Sequence, residues 1–389
     1  MKYRIQIAGK SLVWKQKVSL KIRRKYMNRA VIVEAKRTPI GKKNGMLKDY
    51  EVQQLAAPLL TFLSKGMERA IDDVILGNVV GPGGNVARLS ALEAGLSHHI
   101  PGVTIDRQCG AGLEAIRTAC HFIQGGAGKC YIAGGVESTS ASPFQNRARF
   151  SPETIGDPNM GVAAEYVAER YNITREMQDE YACLSYKRTL QALEKGYIHD
   201  EILSFHGLLD ESIKPEMNYE RIIKRTKPAF LHNGTVTAGN SCGVNDGACA
   251  VLVMEEGQAR KLGYKPVLRF VRSAVVGVDP NLPGTGPIFA VNKLLNERNM
   301  KVEDIDYFEI NEAFASKVVA CAKELQIPFG KLNVNGGAIA LGHPYGASGA
   351  MLVTRLFYQA KRERMKYGIA TLGIGGGIGL ALLFEKVED

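Results

Sequence analysis

Hydrophobic positions along the chain fall in short runs separated by polar and amphipathic stretches. Residues 31–33 predict a short buried strand, and 53–63 have helical spacing. Residues 71–80 predict a strand running into a loop at Gly81-Pro82-Gly83-Gly84. Residues 103–105 predict a strand leading into 106–112 (DRQCGAG), followed by a helix to about Ile123 and a buried strand at 129–136. Apolar runs alternating with helical segments indicate an α/β protein with mainly parallel strands. Residues 144–240 break the rhythm. They are polar and helical, at 161–171 and 175–195, with Thr174 as a candidate N-cap. Such a stretch reads as an insertion carried by the core, a usual place for substrate binding. The earlier pattern then returns. Residues 267–278 are strand-like, and 305–310 echo 71–76, each leading into a turn with an asparagine, Asn311 and Asn78. Strand-like 332–334 precede a glycine-rich loop and a helix from Ala347, as the strand before Cys109 precedes its helix. Residues 368–372 and 378–384 flank Gly373-Ile374-Gly375-Gly376-Gly377. The repeated order of elements points to an internal duplication.

Charge changes the picture at one end only. The 389 residues carry a formal charge of +11, which invites a nucleic-acid or membrane partner. Residues 1–26 hold nine Lys and Arg and no acid, so the rest of the chain carries a net charge of only +2 and neither partner is expected. The basic segment lacks the apolar core and cleavage site of a secretory signal. A mitochondrial leader is one reading; an upstream extension or disordered tail ahead of a natural start at Met27 is the favoured one. Seven scattered cysteines with no C-x-x-C argue against a disulfide framework or a zinc site, and reduced thiols suggest the cytoplasm. No apolar run approaches the ~18 residues of a membrane span.

Three places could carry chemistry. Cys109 sits between a predicted strand and helix among small residues, a setting for a nucleophile whose thiolate and oxyanion a helix N-terminus would stabilise. A buried structural cysteine is the alternative. His343 lies in a loop too rich in glycine to be explained by core packing. A phosphate loop is the rival, but the Gly-Lys-Ser/Thr ending is missing. Asn311 and Glu312 end a predicted buried strand and need polar partners there, unless they merely cap a helix.

Together these motifs resemble the thiolases. Cys109 with its glycines, residues 311–315 (NEAFA), Gly342-His343-Pro344 and Gly375-Gly376-Gly377 occur in the family's order. So do 134–138 (GGVES), 235–240 (TVTAGN), 245–248 (NDGA) and 284–287 (GTGP), and the likeness spans 28–385. It implies two similar β-α-β-α-β-α-β-β halves, 27–265 and 266–389, stacked as α-β-α-β-α layers, with a loop domain at about 144–240. It further implies that Cys109 takes an acyl group from acyl-CoA and that His343 acts as its base. Asn311 would hold a water that stabilises one oxyanion with His343. The N–H groups of Cys109 and Gly375 would form a second oxyanion hole. Met160, Phe230, Ala238 and Phe314 match positions of the pocket and pantetheine tunnel, and Ala238, Gly239 and Asn240 match a loop touching the CoA tail. The implied substrates are acyl-CoA and CoA, with no further cofactor or metal, in a homodimer or homotetramer.

The chain departs from the family at a telling position. A second cysteine normally precedes the terminal Ile/Val-Gly-Gly-Gly run, where it moves the α-carbon proton; here Gly373 stands there. Losing a general acid/base costs roughly 10²–10⁴-fold. Cys242 occupies a place where the family often has serine near CoA. Asn159 replaces a histidine before Met160, and 140–159 is shorter than in tetrameric relatives, which favours a dimer. The leading expectation is an acyltransferase forming or cleaving 3-oxoacyl-CoA such as acetoacetyl-CoA. Gly373 keeps two alternatives open: a thioester hydrolase and a non-catalytic acyl-CoA-binding protein.

Overall fold

The structure, a computed structural model, describes residues 28–144 and 146–388. The basic segment 1–26 lies outside the described residues. The first half begins with β1 (Ala30–Arg37), β2 (Gly41–Lys42), α1 (Val52–Ser64), β3 (Asp73–Gly77), α2 (Val86–Glu93), β4 (Gly102–Ile105), α3 (Ala111–Gly125) and β5 (Cys130–Glu137). Four helices then form the insertion: α4 (Met160–Arg170), α5 (Arg175–Glu194), α6 (Tyr197–Glu201) and α7 (Tyr219–Arg225). Thr174 caps α5 as expected, accepting from the N–H of Met177 at 3.3 Å. β6 (Asn245–Glu255) and α8 (Glu256–Lys261) complete this half. The second half holds β7 (Leu268–Gly277), α9 (Gly286–Arg298), β8 (Tyr307–Ile310), α10 (Ala315–Leu325), α11 (Ala338–Leu341), α12 (Tyr345–Arg362), β9 (Tyr367–Ile374) and β10 (Ile378–Lys386).

The strands run in the order β4-β3-β5-β6-β1-β7-β10-β9-β8. Counted within each half, the first reads 3-2-4-5-1 and the second mirrors it outward from the β1–β7 junction. One member is missing. The strand expected at 332–334 is only a parallel bridge between Leu332 and Phe308, placed where β4 lies beside β3 in the other half. Asn333 explains the truncation. Its backbone adopts φ 44, its side chain bonds the N–H and C=O of Ile310, and no extended strand can follow.

The sheet is mixed, which corrects the expectation of mainly parallel strands. β3 is parallel to β4 and β5, and β8 to β9, but β6 and β10 return antiparallel. Each returning strand lies beside the strand that precedes it, β6 against β5 and β10 against β9. β9 turns into β10 through Gly376 and Gly377, at φ 83 and 77, a conformation that glycine reaches without strain. The equivalent connection in the first half, from β5 to β6, carries the whole helical insertion.

Alternation along the strands builds the layers, because successive side chains face opposite sides. Val31, Val33, Val74 and Leu76 pack under α1 and α2. Ile32, Ile75, Tyr131 and Val251 face the opposite way, onto α3 and α12, which Leu372, Leu380, Leu382 and Phe384 of the second half meet from the far side. Phe308, Ile369, Ala381 and Leu383 then face α9 and α10. Five layers result, with α3 and α12 at the centre. The insertion is tied to β1 by the buried Arg37, which donates to both oxygens of Asp210 at 2.8 Å and to Glu201 at 3.1 Å.

Candidate active site

The two central helices meet at their first turns, and glycines make that approach possible. A Cβ at Gly112 would stand 2.5 Å from the carbonyl oxygen of Gly346, and one at Gly349 would stand 2.4 Å from the N–H nitrogen of Leu113. Immediately before α3 lies Cys109, and immediately before α12 lies His343. The sequence places these residues 234 positions apart in loops of matching topology; the helix crossing gathers them.

The turn carrying Cys109 is held by Asp106, whose carboxylate accepts from the N–H of Gln108 at 2.7 Å. Gln108 sits at φ 46, the left-handed conformation that reverses the chain before α3. Ile374 packs under Gly110, where a Cβ would meet its Cδ1 at 2.4 Å. Burial pushes the Cys109 thiol up to about 11, against the opposing pull of the Lys317 charge. At that value the thiol is protonated at physiological pH, so the helix N-terminus does not offset the cost of burial.

His343 is 2% exposed. Burial first, and the charge of Lys317 second, lower its pKa to about 3, so the ring is neutral at physiological pH. Its tautomer follows from its neighbours. The Ser348 hydroxyl donates to the Pro344 carbonyl at 2.9 Å, so its lone pair accepts from Nδ1–H of His343 at 2.6 Å. Nε2 is left as the acceptor, and the Asn311 amide lies 3.4 Å from it. The backbone is fixed as well: Asn245 Oδ1 accepts from the His343 N–H at 3.0 Å.

Asn311 and Glu312 divide the polar work at the end of β8. Glu312 accepts from Tyr181 at 2.7 Å, Ser185 at 2.6 Å, Asn333 at 3.0 Å and the N–H of Ile339 at 3.2 Å. It therefore pins α5 to the loop before α11 and leaves Asn311 facing the histidine. A small cavity behind them, lined by Asn311, Ser348 and Arg355, has room for a water.

The remaining sequence candidates separate into groups. Met160, Ala313 and Phe314 pack with Ala164 and Val236, and Phe230 lies edge-on to Phe314 at 5.9 Å. Gly161 permits this, since a Cβ there would strike the Phe230 ring at 2.1 Å. Ala238 is exposed and Gly239 half-buried, but Asn240 is fully buried. Its side chain bonds Thr237, Asp179 and Thr235, and its carbonyl accepts from Ala315. Asn240 shapes the loop and offers no free side-chain polar group to a ligand. Cys242 bonds the Ala313 carbonyl through its N–H at 3.0 Å. Gly375 lies under the ring of Phe150, which a Cβ at that position would meet at 2.8 Å, and Gly373 lies against Pro283 and Gly284. Sequence reasoning missed Ser348, Lys317 and Phe150, and named Asn245 only within the motif at 245–248, without a role. The only available signal was the hydroxyl five residues beyond His343, in the first turn of its helix.

Two family models cover the chain: the thiolase N-terminal domain matches residues 30–257 and the thiolase C-terminal domain matches 264–386. The chain belongs to the thiolase family. As a thiolase it is an acyltransferase. Among its relatives, the Bacillus subtilis (strain 168) protein named "Putative acetyl-CoA C-acetyltransferase YhfS" is 58% identical over 92% of this chain and 99% of its own length. The Staphylococcus aureus (strain MSSA476) protein named "Putative acetyl-CoA C-acetyltransferase VraB" is 50% identical, over 92% of this chain and 100% of its own. A crystal structure of the Bacillus anthracis acetyl-CoA acetyltransferase superposes with a TM-score of 0.86 at 38% identity, covering 93% of this chain and 99% of that one. Human mitochondrial 3-ketoacyl-CoA thiolase in complex with CoA gives a TM-score of 0.86 at 32% identity, with 93% and 99% coverage. Among the described residues, no helix is long and apolar enough to cross a membrane, and no cluster of side chains suits a metal ion.

Proposed function

We propose that this thiolase binds acyl-CoA and CoA, and transfers a short acyl group through a thioester on Cys109, forming or cleaving a 3-oxoacyl-CoA such as acetoacetyl-CoA. The observation that carries the reading is the setting of the His343 ring, with Nδ1 2.6 Å from the Ser348 hydroxyl oxygen. With Nδ1–H spent on Ser348, Nε2 presents a lone pair beside Asn311, as a base for the Cys109 thiol requires. In the first half-reaction Nε2 takes the thiol proton, Cys109 sulfur attacks the thioester carbon, and the same proton passes to the departing CoA sulfur. Oxyanion charge falls to two places. One is the water held by Asn311 together with protonated His343. The other is the pair of N–H groups at Cys109 and Gly375. The pantetheine arm follows the apolar strip of Met160, Phe230 and Phe314, and Ala238 and Gly239 border it. The acetyl-CoA acetyltransferase names of the relatives support short acyl groups, and the CoA complex of the human thiolase supports the ligand.

Hydrolysis of the acyl-enzyme is a second reading, favoured by Gly373, which offers no acid or base. One experiment decides between them. Intact-mass measurement after exposure to acetyl-CoA should show a single acetyl adduct that is absent in Cys109→Ala, and mixing with acetoacetyl-CoA and CoA should yield acetyl-CoA. An adduct that decays to free acetate without any thiolysis would establish the hydrolase. The short segment 140–159 supports a homodimer, and light scattering showing a stable tetramer would refute it; seven scattered cysteines without a C-x-x-C support reduced thiols in the cytoplasm.

A further inference from the structure

Carbon–carbon bond chemistry between thioesters needs a group to take up or return a proton at the α-carbon. Gly373 has no side chain for this, and its surroundings leave no space for one: a Cβ would stand 2.5 Å from the Pro283 carbonyl oxygen and 3.1 Å from the Gly284 Cα. On the other side of Gly284 lies the stem of Lys317, which a Cβ at Gly284 would strike at 2.4 Å. Lys317 belongs to the first turn of α10 and is 9% exposed, the one buried lysine among the described residues. Its Nζ sits 4.7 Å from the centre of the Phe314 ring, inside the apolar strip assigned to the pantetheine arm. Phe314 bridges to Ser241, and its neighbour Ala313 holds the N–H of Cys242. No carboxylate pairs with this lysine among the described residues, although a buried ammonium ordinarily demands one. The buried acids of α4 and α5, and Glu312 at the end of β8, are engaged elsewhere: Glu165 with Thr235 and Val236, Asp179 with Arg175 and Asn240, and Glu312 with the four donors given above. The groups that act electrostatically on Lys317 are Cys109, Cys242 and Cys321, which raise its affinity for a proton, and the lysine charge in turn lowers that of His343.

We propose that Lys317 moves the α-carbon proton of the second thioester, from a cluster it forms with Phe314, Cys242 and the Cys109 acyl site. The assignment rests on the acyl-transfer reading and supplies the step that reading lacks. Burial lowers the lysine to about 8, with the neighbouring thiols acting in the opposite sense. Both the amine and the ammonium are therefore accessible near neutral pH, as an acid/base group requires. In synthesis the Nζ lone pair takes a proton from the α-carbon, and the C–H electron pair becomes the enolate. The α-carbon attacks the acyl carbon on Cys109. The carbon–sulfur bond breaks, and the ammonium returns its proton to the Cys109 thiolate. Thiolysis runs the same transfers backward, with the ammonium protonating the departing enolate.

The test follows exchange of the acetyl protons of acetyl-CoA in D2O, alongside Cys109 acylation by intact mass, in the wild type, Lys317→Met, Lys317→Arg and Cys109→Ala. Methionine keeps the stem against Gly284 without the amine, and arginine keeps the charge without a usable base; thermal melts report whether each variant folds. Exchange in the wild type should rise with pH and level off above about 8. It should fall roughly 100-fold or more in both lysine variants and persist in Cys109→Ala. Exchange within threefold of wild type in either folded lysine variant overturns the proposal, as does a wild type that acylates Cys109 and never exchanges. Exchange that depends on Lys317 in a protein that never acylates Cys109 would instead refute the acyl-transfer reading and leave the lysine assignment standing.

Discussion

The turn before α3 and the loop before α12 hold equivalent places in the two halves, yet their ionisable groups are driven in opposite directions. Burial raises the thiol at Cys109 and lowers the imidazole at His343. Desolvation disfavours whichever form is charged, so it keeps an acid protonated and a base neutral. One scaffold used twice thus yields a neutral donor and a neutral acceptor. Their proton transfer creates charge only when a substrate brings groups that stabilise it. The local frames differ as well. Cys109 hangs on a backbone turn secured by Asp106, whereas the His343 ring is oriented by Ser348 and its backbone by Asn245.

The strongest way to break this comparison is to remove one partner at a time. Cys109→Ala should abolish the acyl-enzyme and lower acyl transfer by roughly 10⁴-fold or more, read by mass spectrometry and by release of CoA. His343→Ala should retain the thiol yet slow acylation roughly 10²–10⁴-fold. Equal acylation rates with and without the imidazole would show that Cys109 works without this base. A smaller effect is expected from the hydroxyl that orients the ring. Ser348→Ala leaves Nδ1–H without its acceptor and frees the ring to change tautomer. A loss of about 1–2 kcal/mol of transition-state stabilisation, roughly tenfold in kcat, follows from one hydrogen bond.

Protonation sharpens the same contrast. Because the free thiol titrates near 11, alkylation of Cys109 by iodoacetamide should be slow at pH 7 and climb steadily with pH towards 10. A plateau reached by pH 7 would mean that the resting site holds a thiolate after all. The least effect belongs to position 373. Gly373→Cys places a Cβ 2.5 Å from a backbone oxygen, so it should destabilise the fold by about 1–3 kcal/mol and leave thiolysis no faster. Thermal melts paired with a thiolysis assay check both halves of that statement, and a faster enzyme would show that the Pro283–Gly284 backbone yields.

Much of this protein was legible as sequence, for reasons that are local. Apolar runs and helical spacing announced most strands and helices, and Thr174 announced its helix start, because hydrogen-bonding pattern and burial are encoded over a few residues. Strand-like runs flanking the glycines at 373–377 marked the connection between β9 and β10, where Gly376 and Gly377 take positive φ. Cys109, His343 and Asn311 stood out through their motifs, and the motifs led to the family that the comparisons established. Other features depended on what came to lie beside them. The strand expected at 332–334 dissolved because Asn333 spends its side chain on β8. The sheet became mixed because β6 and β10 return antiparallel beside the strands that precede them. Asn240 belongs to a loop matched to CoA contact, and its own side chain is spent on Thr237, Thr235 and Asp179 of α5. The charge states of Cys109 and His343 are set by burial, a property of the folded core rather than of any motif. Lys317 in a linear reading is one of two lysines on an amphipathic helix. Only the packing of Gly284 between it and Gly373 brings it, buried and without a carboxylate, to the place where a proton must move.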